Sequence, residues 1–372
     1  MSRDILKKVK KIVVKVGTST LTKADGTLNE EFIKSLVVQI CELKRRGYDV
    51  VLVSSGAVGA GMGRMKFKEK PCNISQKQAL AAVGQVSLMH LYEYIFWAYS
   101  SGIAQLLLTR GDFSDRKRYL NVRNVCNQLL SWGIVPIINE NDPVVADELK
   151  VGDNDTLSAL VAGLIDADLV IILSDIDGLY DKNPNEFKDA KLINLVQNID
   201  KSILKMAGGE GSKFGTGGMA TKLTAAKMAN KIGANLIIAN GKDSNVLLKI
   251  LDEIVIGTLF VANANKLNSR KYWLAYGATQ KGFLSIDDGA VKAIKSGKSL
   301  LSVGVNGVGG EFERGEIVSV RDSKNELIAC GIVNYSSSEI ALINGRKSEE
   351  IEQILGYKYD DDLIHADNIA IN

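Results

Sequence analysis

The stretch KIVVKVGTS, residues 11–19, decides the fold. Its first six residues are mostly β-branched and apolar, with the length of a buried strand, and it ends in a glycine followed by two hydroxyl side chains. A helical stretch follows over Asn29–Arg46, with Asn29 as cap, Glu30 and Glu31 in the first turn, and Lys44, Arg45 and Arg46 before Gly47. Phe32, Leu36, Ile40 and Leu43 share one face of it and read as core. The strand-like runs recur as DVVLV (49–53), AQLLLT (104–109), IVPII (134–138), DLVIIL (168–173) and ANLIIA (234–239), alternating with helical segments. Such alternation predicts an α/β fold with an open, mainly parallel sheet and helices on both faces.

In an open parallel sheet, ligands bind beyond the carboxyl ends of the strands. Four polar clusters occupy those ends here: Lys15 with Gly17 and Thr18, Ser54-Ser55-Gly56, Asn139 to Asp142, and Ser174-Asp175. Each alone reads as a cap or turn, and their coincidence points to a site. Asp153, Asn154 and Asp155 precede an apolar helix nearby. Farther on, GTGGMATK (215–222) runs from glycines into a helix-favouring segment and ends in Lys222. Glycine N–H groups at a helix start, together with two lysines, suit a phosphate chain whose transfer requires charge neutralisation. The acidic loops would repel phosphate and suit an acceptor's ammonium group or a magnesium ion. General bases are scarce. An acceptor carboxylate is already ionised at neutral pH and needs none, an Asp base could serve a hydroxyl, and a phosphate acceptor would also need none.

Common nucleotide motifs are missing. The nearest approach to G-x-x-x-x-G-K-[S/T] is SGKS (296–299), where Lys292 stands in place of the first glycine, and GAVGAG (56–61) has its glycines in the wrong order for a dinucleotide turn. With 372 residues, 46% hydrophobic and 24% charged, the chain can build one large domain and a smaller one, and its formal charge of +3 does not by itself argue for nucleic acid or membrane. The charged N-terminus lacks a signal-peptide core and no apolar run approaches the ~20 residues of a membrane span, so a cytosolic protein is expected. Cys41, Cys72, Cys126 and Cys330 are scattered and read as buried reduced thiols. Only His90 and His365 are present, too few for histidine triads or histidine-rich metal centres, and His90 reads as a packed residue in an apolar helix.

The expected organisation is a large domain over 1–260, a polar connection over 261–280, a small β-rich unit over 281–358 and a solvated tail over 359–372.

Taken together, VVKVGTS, SSGAVGAG, KQALAAVGQ, LLLTRGD, VPIINENDPV, KVGDNDTLSALVA, SDIDGLYDKNP and GTGGMATK resemble, in order and over nearly the full length, the glutamate 5-kinase family of amino-acid kinases with a C-terminal PUA domain. The resemblance implies transfer of the ATP γ-phosphoryl group to the side-chain carboxylate of L-glutamate, the first committed step toward proline, with Mg2+ as metal, although its protein ligands stay unassigned. It implies that Lys15 and Lys222 neutralise the migrating group, that Asp175 orients the lysines or the metal, and that Asp155 lies close to the reacting centre. ATP would contact Lys15, Ser174, Asp175, Thr216, Gly217, Gly218, Met219, Ala220, Thr221 and Lys222. Ser55, Asp142 and Asn154 would hold glutamate. It also implies a homo-oligomer inhibited by proline. Ser174 replaces a more usual Thr, and DKNP (181–184) a more usual T-x-D-P. The enzyme alternative is a related kinase acting on N-acetylglutamate or aspartate. The rival class is RNA binding through the PUA-like unit, but residues 281–358 carry ten basic and eleven acidic groups, a net of −1, where a phosphate-backbone binder calls for a basic face. A structural or regulatory role therefore ranks above RNA binding.

Overall fold

The computed structural model describes residues 3–23, 27–67, 69, 71–145, 153–184, 186–206, 218–262, 271 and 273–371. They fall into two units, Met1–Asp112 with Lys117–Lys266, and Phe113–Arg116 with Leu267–Asn372.

In the first unit the apolar runs become β1 (Lys11–Val16), β2 (Asp49–Val53), β3 (Ile103–Leu108), β4 (Val135–Glu140), β5 (Leu169–Ser174), β6 (Leu195–Val196), β7 (Asn235–Asn240) and β8 (Thr258–Phe260). They form one sheet in the order β3-β4-β2-β1-β5-β7-β8-β6. The run from β3 through β7 is parallel throughout, β8 is antiparallel to β7, and β6 is parallel to β8. β1 and β5 are buried at nearly every position, which requires cover on both faces and explains why the runs Ile12 to Val14 and Leu169 to Leu173 are apolar at successive positions rather than alternating. Each buried Val, Ile or Leu contributes about 1.5–3 kcal/mol, so the central strands anchor the unit.

The helix Glu30–Arg45 forms as its sequence dictates: the Asn29 side chain accepts from the Phe32 N–H at 3.4 Å, and Leu36, Ile40 and Leu43 are buried. Chain order changes direction at β1, which has β2 on one side and β5 on the other. A crevice opens at such a point, and the four strands with polar ends, β4, β2, β1 and β5, stand next to one another there.

The glycines of GAVGAG serve packing. Helices Ala57–Met65 and Ile74–Ala98 touch backbone to backbone: a Cβ on Gly61 would lie 1.9 Å from the Leu80 carbonyl oxygen, and one on Gly84 1.8 Å from that of Ala57.

The second unit has its own sheet, β9 (Gly282–Ile286), β10 (Val305–Gly310), β11 (Ile317–Arg321), β12 (Leu327–Ile332) and β13 (Ile369–Ile371), in the order β10-β9-β11-β12-β13. Its core includes Leu284, Ile286, Val318, Val320, Tyr335, Leu363 and Ile364. Residues 359–372 are therefore not a solvated tail: β13 pairs antiparallel with β12, and Leu363 and Ile364 are buried. The acidic run Asp360–Asp362 masked an apolar anchor just after it. The expected connection over 261–280 falls partly outside the described residues, while Trp273 and Leu274 are buried in this unit and the Trp273 indole donates to the Phe113 carbonyl at 2.6 Å. SGKS lies where the helix Asp288–Lys295 ends, with Gly297 at φ +79° making the turn.

Two further expectations differ. Cys72 is exposed and Cys41 half-buried, whereas Cys126 and Cys330 are buried; Cys72 sits just before Asn73, which caps the next helix. His90 is exposed, because its helix also turns Val86, Tyr94 and Trp97 outward, so an apolar stretch there is not a buried one. Among the described residues no helix is long and apolar enough to cross a membrane.

Candidate active site

A cleft of about 650 Å³ opens at the carboxyl ends of β1, β2, β4 and β5, and residues from all four polar clusters line it. At its base is a charge cluster. Asp155, 1% exposed, lies between two ammonium groups: Lys15 Nζ is 2.7 Å from Oδ1 and Lys222 Nζ is 3.0 Å from Oδ2. The Thr221 hydroxyl donates to Oδ2 at 3.1 Å. The Lys15 contact is close but poorly aligned as a hydrogen bond, so Oδ1 accepts none. Burial pushes the Asp155 carboxyl up, yet the two lysines outweigh it and hold the group below the usual carboxylate range. Two cations on one carboxylate leave this buried cluster itself net positive, a local arrangement suited to an anion, while Glu140, Asp142, Asp153 and Asp175 line the cleft beside it.

Local structure explains each placement. Lys15 is the penultimate residue of β1, beside the central strands. Asp155 belongs to the first turn of helix Asn154–Ile165, whose cap is Asp153, accepting from the Thr156 N–H at 2.8 Å. Burial, then the neighbouring Asp155 charge, pushes the Asp153 carboxyl up. Lys222 lies in the first turn of helix Met219–Lys231. That helix starts at Gly218 and the helix Ala57–Met65 at Gly56, neither with a side-chain cap, so their first N–H groups are available to an anion. Gly56 has φ +89°, a conformation that favours glycine.

The opposite wall is built from amides and hydroxyls. The Asn154 side-chain NH2 donates to Ser55 Oγ at 2.8 Å, to the Ser54 carbonyl at 3.0 Å and to Asn139 Oδ1 at 3.0 Å. Asn139 in turn donates to Gln85 Oε1 at 3.0 Å, and Ser54 Oγ shares a hydrogen bond of 3.1 Å with the Tyr92 hydroxyl. Gln85 and Tyr92, both on the long helix Ile74–Ala98, were not singled out by the strand-end reading, because they reach the site from a helix; Gln85 had a signal in KQALAAVGQ (77–85), which marked the family without assigning a role, and Tyr92 had none.

The cleft brings together Lys15, Ser55, Asp142, Asn154, Asp155, Ser174, Asp175, Gly218 and Lys222, along with Thr18, Ser19, Asn139, Glu140 and Asp153. Met219 is half-buried and Ala220 exposed, in the first turn of their helix and off the lining, and Thr221 reaches the cluster through Asp155. Thr216 and Gly217 lie outside the described residues. In the structure Asp155 is the carboxylate paired with both lysines, whereas Asp175 makes no ion pair among the described residues and accepts from the Ser174 hydroxyl at 3.1 Å. The reason is position, since Asp175 follows the end of β5 whereas Asp155 enters from the helix facing both lysines. Among the described residues no three His, Cys, Asp or Glu side chains gather as a metal cage.

Backbone donors at glycine-led helix starts, a two-lysine clamp and no histidine are the equipment of phosphoryl transfer, in which positioning and charge neutralisation carry the catalysis. The class follows from comparison as well: the model of the amino acid kinase family matches residues 10–240, and the chain belongs to that family and is a kinase. A PUA domain matches residues 282–355. Within the family, the chain is 53% identical over 362 residues, 97% of each protein, to glutamate 5-kinase of Caldanaerobacter subterraneus subsp. tengcongensis. It is 47% identical over 372 residues, 100% of each, to glutamate 5-kinase of Geobacter sulfurreducens. Among solved structures, carbamate kinase from Giardia lamblia bound to AMP-PNP shares the fold, with a TM-score of 0.51 at 17% identity over 69% of this chain and 99% of that one.

Proposed function

We propose that the protein transfers the γ-phosphoryl group of ATP to the side-chain carboxylate of L-glutamate, giving γ-glutamyl phosphate and ADP. One observation carries the reading: Asp155 holds Lys15 and Lys222 together in a cleft whose wall also presents hydrogen-bonding amides and hydroxyls and the carboxylates Glu140 and Asp142. Full-length similarity to glutamate 5-kinases supports the choice of acceptor.

The chemistry requires little of the protein beyond placement. An acceptor carboxylate oxygen attacks the γ-phosphorus, the bond to the β,γ-bridging oxygen breaks, and its electron pair leaves with ADP. No proton has to be removed, because the acceptor is ionised at neutral pH. Lys15 and Lys222 neutralise the transferring oxygens, and Asp155 keeps both ammonium groups in place before substrate enters. Amides at Gly218 and at Gly56 to Gly59 take further phosphate or carboxylate oxygens. Ser55, Asp142 and Asn154 hold the amino acid: Ser55 Oγ already accepts from Asn154, so its proton is available to a carboxylate, and Asn154 Oδ1 to an ammonium group. Bound magnesium supplies charge neutralisation to the nucleotide phosphates. Asp175, outside the lysine cluster and on the cleft wall, would be the carboxylate that holds it. Cytoplasmic location, homo-oligomerisation and inhibition by proline belong to the same reading.

The test is ADP release with ATP and magnesium in the presence of L-glutamate, N-acetyl-L-glutamate or L-aspartate, with hydroxylamine to trap acyl phosphate. Hydroxamate with L-glutamate alone is expected. Hydroxamate only with another acid would keep the kinase and replace the acceptor, and proline added to the same assay reads out inhibition.

A further inference from the structure

We propose that Gln85 is a positioning residue that fixes which way the acceptor-binding amides face, and through them selects a free amino group. The inference rests on the reading that this wall of the cleft receives an amino acid. Gln85 is buried, one residue after the glycine that brings its helix against Ala57, and its Oε1 accepts from Asn139 Nδ2 at 3.0 Å. Asn139 Oδ1 accepts from the Glu140 N–H at 2.9 Å and from Asn154 Nδ2 at 3.0 Å. Asn139 is thus held at both ends, its nitrogen by Gln85 and its oxygen by the backbone.

An amide side chain has two near-isosteric orientations that exchange donor for acceptor. Asn154 turns its NH2 toward Asn139, Ser55 and the Ser54 carbonyl, which leaves Asn154 Oδ1 without a donor among the described residues. Ser55 Oγ, already an acceptor, keeps its proton. The wall therefore presents an acceptor beside a donor, matching the ammonium and α-carboxylate of a free amino acid, and an N-acylated acid has fewer protons to offer the acceptor. Without Gln85, Asn139 Nδ2 becomes a buried donor with no partner, a state side chains relieve by rotating. Rotation of Asn139 removes one of the three acceptors that orient the Asn154 amide, leaving the Ser54 carbonyl and Ser55 Oγ to hold it less firmly.

Steady-state kinetics of the full chain test this with Gln85→Met, close in size but without an acceptor oxygen, and Gln85→Glu, which keeps one. Gln85→Met is expected to raise KM for L-glutamate about tenfold, the size of one lost hydrogen bond, with KM for ATP, kcat and thermal midpoint little changed. Gln85→Glu is expected to restore most of the acceptor KM. An unchanged glutamate KM in Gln85→Met overturns the proposal, as does a parallel loss of kcat, both KM values and thermal midpoint with no rescue by Glu, which marks a purely structural residue. If Gln85→Met does not fold, Gln85→Glu decides alone: a glutamate KM near that of the wild type supports the relay and a tenfold rise overturns it. The series is run with whichever acceptor the wild type uses. Failure of the substrate reading then appears as wild-type inactivity on glutamate, and failure of the relay as an unmoved acceptor KM.

Discussion

Asp155 is the residue on which the site turns, because its carboxylate is what allows two lysines to sit side by side almost out of water. Removing one partner of a buried charge cluster leaves uncompensated charge, typically at a cost of about 3–5 kcal/mol. Asp155→Asn should therefore lower the urea midpoint clearly as well as depress turnover. Its pH signature has a definite sign. The carboxyl is held below its ordinary value in the folded state, so it binds fewer protons there than in the unfolded chain. Its contribution is complete above about pH 5 and is lost as pH falls through the folded value. The wild type should lose stability on acidification in that window, and Asp155→Asn should show a shallower loss; parallel curves would count against the ion cluster. Lys222→Ala should cut kcat by roughly 10²–10³, the usual consequence of removing one transition-state charge donor. With Lys15 still paired to Asp155, its circular dichroism should be that of the wild type, and a near-normal kcat would take Lys222 out of the mechanism.

Among the elements, the helices decide more than the strands. The strands were legible at once: β1, β2 and β5 are built on short, mostly β-branched apolar runs whose composition leaves little alternative, and the polar residues at or near their ends announced the cleft. What the helices contribute was harder to see. GAVGAG fails as a dinucleotide turn and KQALAAVGQ only marks the family, so Gly61 and Gly84 had no assigned role in the sequence; their contact is a property of two segments that no local pattern encodes. Gly84→Ala places a methyl group 1.8 Å from the Ala57 carbonyl oxygen and should destabilise by about 1–3 kcal/mol as the helices part. Because Gln85 is the next residue, acceptor KM should rise as well. Equilibrium denaturation with kinetics on the same sample checks both, and a Gly84→Ala protein of normal stability would show that the contact is not rigid. The role of Asp155 in holding the lysines was obscured for a similar reason: in sequence it reads as an acidic residue in a helix's first turn, which it also is.

For the whole molecule, the second unit has a core of its own, which predicts that ligands bound in the cleft of the first unit leave it unchanged. A non-hydrolysable ATP analogue with magnesium and L-glutamate should slow amide hydrogen exchange in helices Ala57–Met65, Asn154–Ile165 and Met219–Lys231, with β9 to β12 unaffected, since binding stabilises the structure that binds. Protection concentrated in the second unit would place the site elsewhere. That unit also shows where sequence reading stops: the aspartates of 360–362 suggested solvent, while the strand after them closes a sheet. The most direct measurement uses L-glutamate carrying 18O in its side-chain carboxylate, turned over with ATP, magnesium and hydroxylamine. Attack by that carboxylate on phosphorus leaves its oxygen bridging the acyl phosphate, and hydroxylamine then expels phosphate with the label. One 18O per phosphate released is the expected result; unlabelled phosphate formed in step with ADP would mean that water, not the acceptor carboxylate, takes the phosphoryl group.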